Sequence, residues 1–124
     1  MFGQELSAGR PIELESVIDE DAAAGLSAEQ SMEALQVTHE AISNALRHGK
    51  ASAVTVRLHR SDVEIGLLVR DNGRGFNPEK IAQEGHGLAN MQARARNAGA
   101  SLRIDSKPGD GTRVVMTFSG KRIS

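Results

Sequence analysis

Gln36, Glu40, Asn44 and His48 follow one another at four-residue intervals in the run Glu33-Ala-Leu-Gln-Val-Thr-His-Glu-Ala-Ile-Ser-Asn-Ala-Leu-Arg-His-Gly49. In a helix this spacing stacks the four side chains into one polar stripe. Leu35, Ile42 and Leu46, with Met32 close by, recur at intervals that suit an amphipathic helix, and their face is expected to be core. Gly49 is expected to end the helix as its cap. A polar stripe ordinarily means a solvated face. Asn and His, however, are middling helix formers where Glu, Lys and Gln would serve such a face better. The pattern asks for an amide and a carboxylate one turn apart.

A chain of 124 residues is read as one domain, long enough to bury about two-thirds of its unfolded surface without staples. It has no cysteine, which excludes a disulfide framework and a thiolate metal site. A net charge of −1 gives no basic field for nucleic acid. With three Phe and neither Trp nor Tyr, there is no platform for base stacking and the core is aliphatic. No apolar run approaches the ~20 residues of a membrane span. Met1-Phe-Gly-Gln-Glu does not read as a signal peptide. A soluble, cytoplasmic domain without direct membrane contact is expected, either free or as the cytoplasmic part of a membrane-bound sensor.

Along the chain, residues 1–10 are expected to be disordered. Pro11 to Asp19 starts with apolar and polar residues in alternation and reads as a strand, near a sheet edge because of Pro11. Residues 20–27, rich in Asp, Ala and Gly, read as a loop. Ser27 and Gln30 form the two halves of a capping box for the helix that follows. Ala53–Arg60 and Val63–Arg70 are β-branched runs separated by Ser61-Asp62, the signature of a hairpin. The second run loses its alternation at Leu67-Leu68-Val69, as a strand covered on both faces would.

That strand leads into Asp71-Asn-Gly-Arg-Gly-Phe-Asn-Pro78. Asn72-Gly73 is a turn signal, yet no partner strand follows, so this is not a second hairpin. A polar segment, Glu79 to Glu84, leads instead to Gly85-His-Gly87. From Leu88 a helix is expected, with Leu88, Met91, Ala95 and Ala98 inward and Gly99 as its cap. Two glycines before a helix N-terminus leave backbone N–H groups open to an anion, and the helix dipole favours phosphate there. Ala100–Ser106 and Thr112–Phe118 close the chain as strands joined by the loop Lys107-Pro-Gly-Asp-Gly111.

Several familiar sites are absent. His39-Glu40 begins like HExxH, but Ser43 stands in place of the second His. Gly85-His-Gly-Leu-Ala-Asn90 is a broken GxGxxG that follows a polar loop rather than a strand. There is no GxxxxGK[ST], and Asp71-Asn-Gly-Arg lacks the alternating oxygen ligands of an EF-hand. His59 and Arg60 read as a solvated strand end and His86 as a lid residue.

Taken in order, the helical stripe, the Asp-headed glycine loop, the glycine pair before a helix and the terminal Gly-Thr strand resemble the ATP-binding domain of the GHKL family, named for gyrase, heat-shock protein 90, histidine kinase and MutL. His39-Glu40-Ala-Ile-Ser-Asn-Ala-Leu-Arg-His48 resembles its N box, Asp71-Asn-Gly-Arg-Gly75 its first glycine box, Gly85-His-Gly87 its second and Gly109-Asp-Gly-Thr112 its last. The resemblance covers residues 11 to 119. Any one box is a weak signal; four in order are specific. The short lid, the run around Met91 and the turn Pro108-Gly-Asp-Gly-Thr112 resemble the histidine kinases of the nitrate-sensor, DegS and DesK type, which partner LuxR-type response regulators.

The resemblance implies a fold: a two-layer α/β sandwich, its mixed sheet of about five strands covered on one face by helices at 28–49 and 87–99. It also implies ATP and Mg²⁺ as cofactors. Asn44 would give its side-chain oxygen to Mg²⁺ and Glu40 would orient a water, both counted as catalytic. Arg47 and His48 would stand near the triphosphate. Asp71 would accept the adenine amino group, in a charge-assisted bond worth about 1.5–3 kcal/mol. Gly73 and Gly75 would let backbone approach the base, Gly85 and Gly87 would serve the phosphates, and Thr112 would reach the adenine through its hydroxyl. A histidine kinase also needs a dimerisation domain carrying the phosphoacceptor His, and nothing before Ile12 reads as one. The expected partners are therefore such helices, from the same or a partner chain, and a response regulator. Two alternatives stand beside this reading. The pattern Asn-Ala-x-x-His-Gly at Asn44 to Gly49 is shared with the anti-sigma-factor serine kinases, and a non-catalytic nucleotide-binding module is the other.

Overall fold

The computed structural model describes residues 12–75 and 87–119. Within them the elements are β1 (Glu13–Ile18), α1 (Glu20–Ala24), α2 (Ala28–Arg47), β2 (Ala53–Arg60), β3 (Glu64–Asp71), α3 (Gly87–Asn97), β4 (Ala100–Ser106) and β5 (Thr112–Ser119). The five strands form one sheet in the order β1-β2-β3-β5-β4. β1 lies parallel to β2, and every other pairing is antiparallel. The mixed five-strand sheet with helices on one face is the expected architecture.

The core lies between the helices and one face of the sheet. Val54, Val56 and Leu58 of β2, Ile65, Leu67 and Val69 of β3, and Val114, Met116 and Phe118 of β5 are all buried there. These strands alternate because their other face carries no helix. Leu68 therefore sits on the open face and is only half-buried. The run Leu67-Leu68-Val69 belongs to the middle strand of the sheet, but helices cover it on one side only, contrary to the two-sided cover expected. Phe118, Met91 and Met116 are the largest fully buried side chains. Each contributes about 1.5–3 kcal/mol through area removed from water.

The packing face of α2 differs from the one its large residues suggest. Ala34, Val37, Ala41 and Ala45 are buried, while Leu35 is 63% and Met32 56% exposed. Ile42 is half-buried and Leu46 buried, so the expected core face holds at its C-terminal end alone. Small residues at i, i+3 and i+4 spacing let the helix axis lie close to the sheet, where a row of Leu and Met would hold it away. The start of α2 follows the sequence signal. Ser27 Oγ accepts from Gln30 N at 3.0 Å and Gln30 Oε1 accepts from Ser27 N at 2.9 Å, closing the capping box.

Residues 20–27 are not a plain loop. Asp19 caps a short helix by accepting the Asp21 amide at 2.9 Å, and Ala22 at its centre is fully buried. The end of α2 also lies one residue earlier than expected. His48 is the cap, and the left-handed conformation falls on Lys50, with φ 54°, rather than on Gly49. α3 follows expectation: Met91, Ala95 and Ala98 are buried, Leu88 is half-buried, and Gly99 adopts φ +66°. It is fastened to α2 by polar groups. The Glu33 carboxylate, 7% exposed, accepts from Arg94 Nη1 and Asn97 Nδ2, each at 3.4 Å. Gln30 Nε2 donates to the Ala98 carbonyl at 3.3 Å.

Candidate nucleotide site

The site is assembled where β3 ends. Asp71 is the last residue of that strand, paired in register with Val54 of β2 and Thr112 of β5. Its carboxylate turns back on its own chain and accepts the Gly73 amide at 2.7 Å. Burial pushes the Asp71 carboxyl above the ordinary aspartate range, and the amides of Gly73 and Thr112 that donate to it work in the opposite direction. Asp71 thus stands as a part-buried acceptor, and its lone pairs beyond those two amides can serve a ligand's N–H.

The turn after Asp71 is locked by neighbours on two sides. Asn72 Oδ1 accepts the amides of Ser52 and Ala53, both at 3.0 Å, and Asn72 Nδ2 donates to Ser52 Oγ at 3.0 Å. The Arg74 amide donates to the Gly49 carbonyl at 2.8 Å, tying the turn to the end of α2. On the other side the Gly109 amide donates to the Arg74 carbonyl. A Cβ on Gly73 would stand 2.6 Å from the Gly49 carbonyl oxygen. Gly75 has φ +70°, and a Cβ there would collide with the Lys107 carbonyl. Both glycines are demanded by close backbone approach.

The β4–β5 loop forms the far wall. Ser106 Oγ and Thr112 Oγ1 lie 2.8 Å apart, and Ser106 Oγ also reaches the Gly111 carbonyl at 3.1 Å. Between this wall and β3 opens a cavity of about 720 Å³, lined among others by Asp71, Asn72, Ile104, Ser106, Gly111 and Thr112. That volume is ample for a purine nucleoside. Two of the expected site residues, Asp71 and Thr112, meet in this cavity.

The expected residues of α2 do not line it. Glu40 and Asn44 are half-buried, and Arg47 and His48 are exposed. They connect to the Asp71 turn through backbone: the Asn44 carbonyl accepts the amides of His48 and Gly49, and the Gly49 carbonyl accepts that of Arg74. Gly87 is the first residue of α3. Gly85, His86 and the segment 77–86 lie outside the described residues, as do residues 1–10. Two features escaped the sequence reading. Asn72, part of a turn signal in the sequence, is the clamp to Ser52; Glu33, to which the sequence assigns no role, is the anchor of α3.

Comparison with known proteins bears on the family and the fold. Residues 29–122 match the family described as "Histidine kinase-, DNA gyrase B-, and HSP90-like ATPase". The sensor protein VraS of Staphylococcus aureus is 44% identical over 79 residues, which cover 64% of this chain and 23% of that protein. VraS of Staphylococcus epidermidis is 43% identical over the same length. The chain thus spans about a quarter of the curated relatives it matches. Among solved structures, the blue-light activated histidine kinase of Erythrobacter litoralis EL346 superposes with a TM-score of 0.73 at 24% identity, covering 95% of this chain and 40% of that one. The ATP binding domain of PrrB from Mycobacterium tuberculosis gives 0.62 at 24% identity, over 73% of this chain and 69% of that one. At these identities the structures speak for the fold. On the family match, the chain belongs to the histidine kinase-, DNA gyrase B- and HSP90-like ATPases.

Proposed function

We propose that this domain binds Mg-ATP and is the catalytic, cytoplasmic part of a two-component sensor histidine kinase, transferring the γ-phosphoryl group to a His on a separate dimerisation domain. The observation that carries the reading is Asp71: a carboxylate at a strand end, held by the Gly73 amide and opening into a nucleoside-sized cavity. Such an acceptor recognises an exocyclic amine, and its neighbours Gly73 and Gly75 leave no side chain between base and backbone. The Thr112 hydroxyl, already shared with Ser106, supplies a second polar contact to the purine.

On α2, Asn44 offers one amide oxygen to the cation. One amide oxygen suits Mg²⁺, a hard cation, which when bound would supply charge neutralisation on the transferring group. Glu40, one turn before Asn44, would orient a water there. Arg47 and His48 add positive charge toward the triphosphate, and Gly85 and Gly87 present backbone N–H groups to it. The finer reading is a kinase of the nitrate-sensor, DegS and DesK type with a LuxR-type response regulator as partner. The sequence run around Met91 and the turn from Pro108 to Thr112 support it.

Calorimetric titration with Mg-ATP tests the site, comparing wild type with Asp71→Asn and Asn44→Asp. Binding that is lost in Asp71→Asn supports the reading. Absence of binding to wild type at millimolar ATP refutes it. Transfer of labelled phosphate to a dimerisation domain, and not to a serine of an anti-sigma antagonist, separates the kinase classes.

A further inference from the structure

Helices do not reach the outer strand of the sheet. Leu14 and Ile18 of β1 pair in register with Val54 and Leu58 and share their face, yet they are 56% and 50% exposed where Val54 and Leu58 are buried. The neighbouring flank of α2 is apolar as well. Helical geometry places Leu35 and Ile42 on the side of α2 opposite Glu33, and Glu33 is the residue that meets α3. Met32 lies on the crest between them, so an exposed apolar ledge runs along β1 and the free flank of α2. Exposed apolar residues that cluster in this way, beside an edge strand with unpaired backbone groups, mark an interaction surface.

The charge of its frame says what fits there. Residues 12–46 hold no Lys or Arg; of their eight Asp and Glu, Glu13 and Glu15 alternate onto the other face of β1, and Glu33 and Glu40 lie on the α3 side of α2. Asp19, Glu20 and Asp21 gather at the Ile18 end of the ledge. The neighbouring cation, Arg60, donates to the Asp21 carbonyl at 3.3 Å. Apart from Glu33, which is committed to Arg94, none of these carboxylates has a described ion pair. We propose that the ledge docks a cationic amphipathic helix, its apolar face on Leu14, Ile18 and Leu35 and its Lys and Arg beside the acidic frame. A helix suits the step between a bare strand and a helix flank, because apolar residues at i, i+3, i+4 and i+7 present one narrow ridge to it. Glu40 and Asn44 follow Glu33 on the side toward α3, so the ledge and the nucleotide site lie on different sides of α2 and the docking does not depend on the nucleotide reading.

The test titrates the isotopically labelled 124-residue chain with a synthetic Leu/Lys amphipathic peptide of about 18 residues. A peptide with Glu for every Lys serves as control. Amide shifts are followed by NMR. The expected result is saturable shifts confined to β1, α1 and the Leu35 flank of α2, with the Glu peptide at least tenfold weaker and binding weakened by added salt. Leu35→Ser and Ile18→Ser, both at exposed positions, lower affinity at least tenfold while leaving the circular dichroism unchanged. Equal binding of the two peptides, shifts elsewhere, or no shift at millimolar peptide overturns the proposal. So does a dimer that Ile18→Ser dissociates, since the occupant is then a second copy. Nuclear Overhauser contacts between residues 1–11 and Leu35 in the free chain overturn it too, by assigning the ledge to the chain's own N-terminal segment.

Discussion

Asn72 and Ser52 hold each other by two hydrogen bonds, Ser52 N to Asn72 Oδ1 and Asn72 Nδ2 to Ser52 Oγ, each 3.0 Å long. This pair joins the strand end that carries Asp71 to the connection leaving α2. Both residues are exposed, so water partly replaces what a substitution removes. Asn72→Ala is expected to cost about 1–2 kcal/mol in urea unfolding, because the amides of Ser52 and Ala53 lose their acceptor together. Faster hydrogen exchange at those two amides is the specific check.

Asp71→Asn is expected to keep the fold and lower Mg-ATP affinity by roughly 10- to 150-fold, the equivalent of a lost charge-assisted hydrogen bond of about 1.5–3 kcal/mol. Adenosine should lose affinity in parallel, since the contact is to the base. Calorimetry on both ligands checks it.

The direction of the Asp71 shift sets two pH dependences. Burial, the larger influence, raises its folded pKa above the ordinary aspartate value of 3.8, so the folded state binds the proton more tightly than the unfolded chain. Its ionisation therefore opposes folding. Stability is favoured below 3.8 and falls as pH rises from there through the folded pKa, then stays level. In the ligand-free protein Asp71→Asn should remove this penalty, so its stability relative to wild type should be greater at pH 7 than at pH 3. Adenine binding runs the other way. Affinity weakens on acidification, beginning at a higher pH than for an ordinary aspartate. Thermal unfolding across pH 3–8 and calorimetric titration across pH 4–8 read the two trends.

Two glycines with nearly the same backbone angle should respond differently to alanine. Gly99 has φ +66° and open space around its Cβ position, so Gly99→Ala should cost about 1–2 kcal/mol from backbone strain alone. Gly75 has φ +70° and the Lys107 carbonyl in the way, so Gly75→Ala should cost more and also distort the turn. Urea midpoints with unchanged slopes would establish the ranking.

Arg94→Ala should destabilise the domain more than Glu33→Leu. The first leaves a buried carboxylate with Asn97 as its remaining described partner; the second removes the buried charge itself. With Arg94 half-exposed, the cost of its loss is about 1 kcal/mol. Chemical unfolding of the two variants and the double variant measures the difference.

The parts legible from sequence are those decided locally. Ser27 and Gln30 are three residues apart and form the capping box that spacing implies. Asp71 follows a β-branched run and does end a strand. The misreadings are cases where tertiary distance decides. Leu35 and Met32 are among the large apolar residues of α2, but the sheet takes Ala34, Val37, Ala41 and Ala45, whose smaller side chains allow close approach. Asp19 to Ala24 has an N-cap, acidic first-turn residues and three alanines, yet its helix is stable because Ala22 is buried, a fact of packing that composition does not carry. The clamp from Asn72 to Ser52 spans twenty positions, a pairing no local pattern announces.

The pairing of β1 has a consequence for the order of assembly. β2 with β3, and β4 with β5, are hairpins that close over a few residues, whereas Ile18 meets Leu58 only after α1 and α2 have been laid down between them. Closing that longer loop costs more entropy before any contact rewards it. β1 should be the last strand to join in refolding and the first to leave on partial opening, with amides that exchange well before those of β3 and β5. A mechanical load applied at its N-terminal end would detach β1 and leave the Asp71 turn, clamped by Ser52 and Gly49, intact.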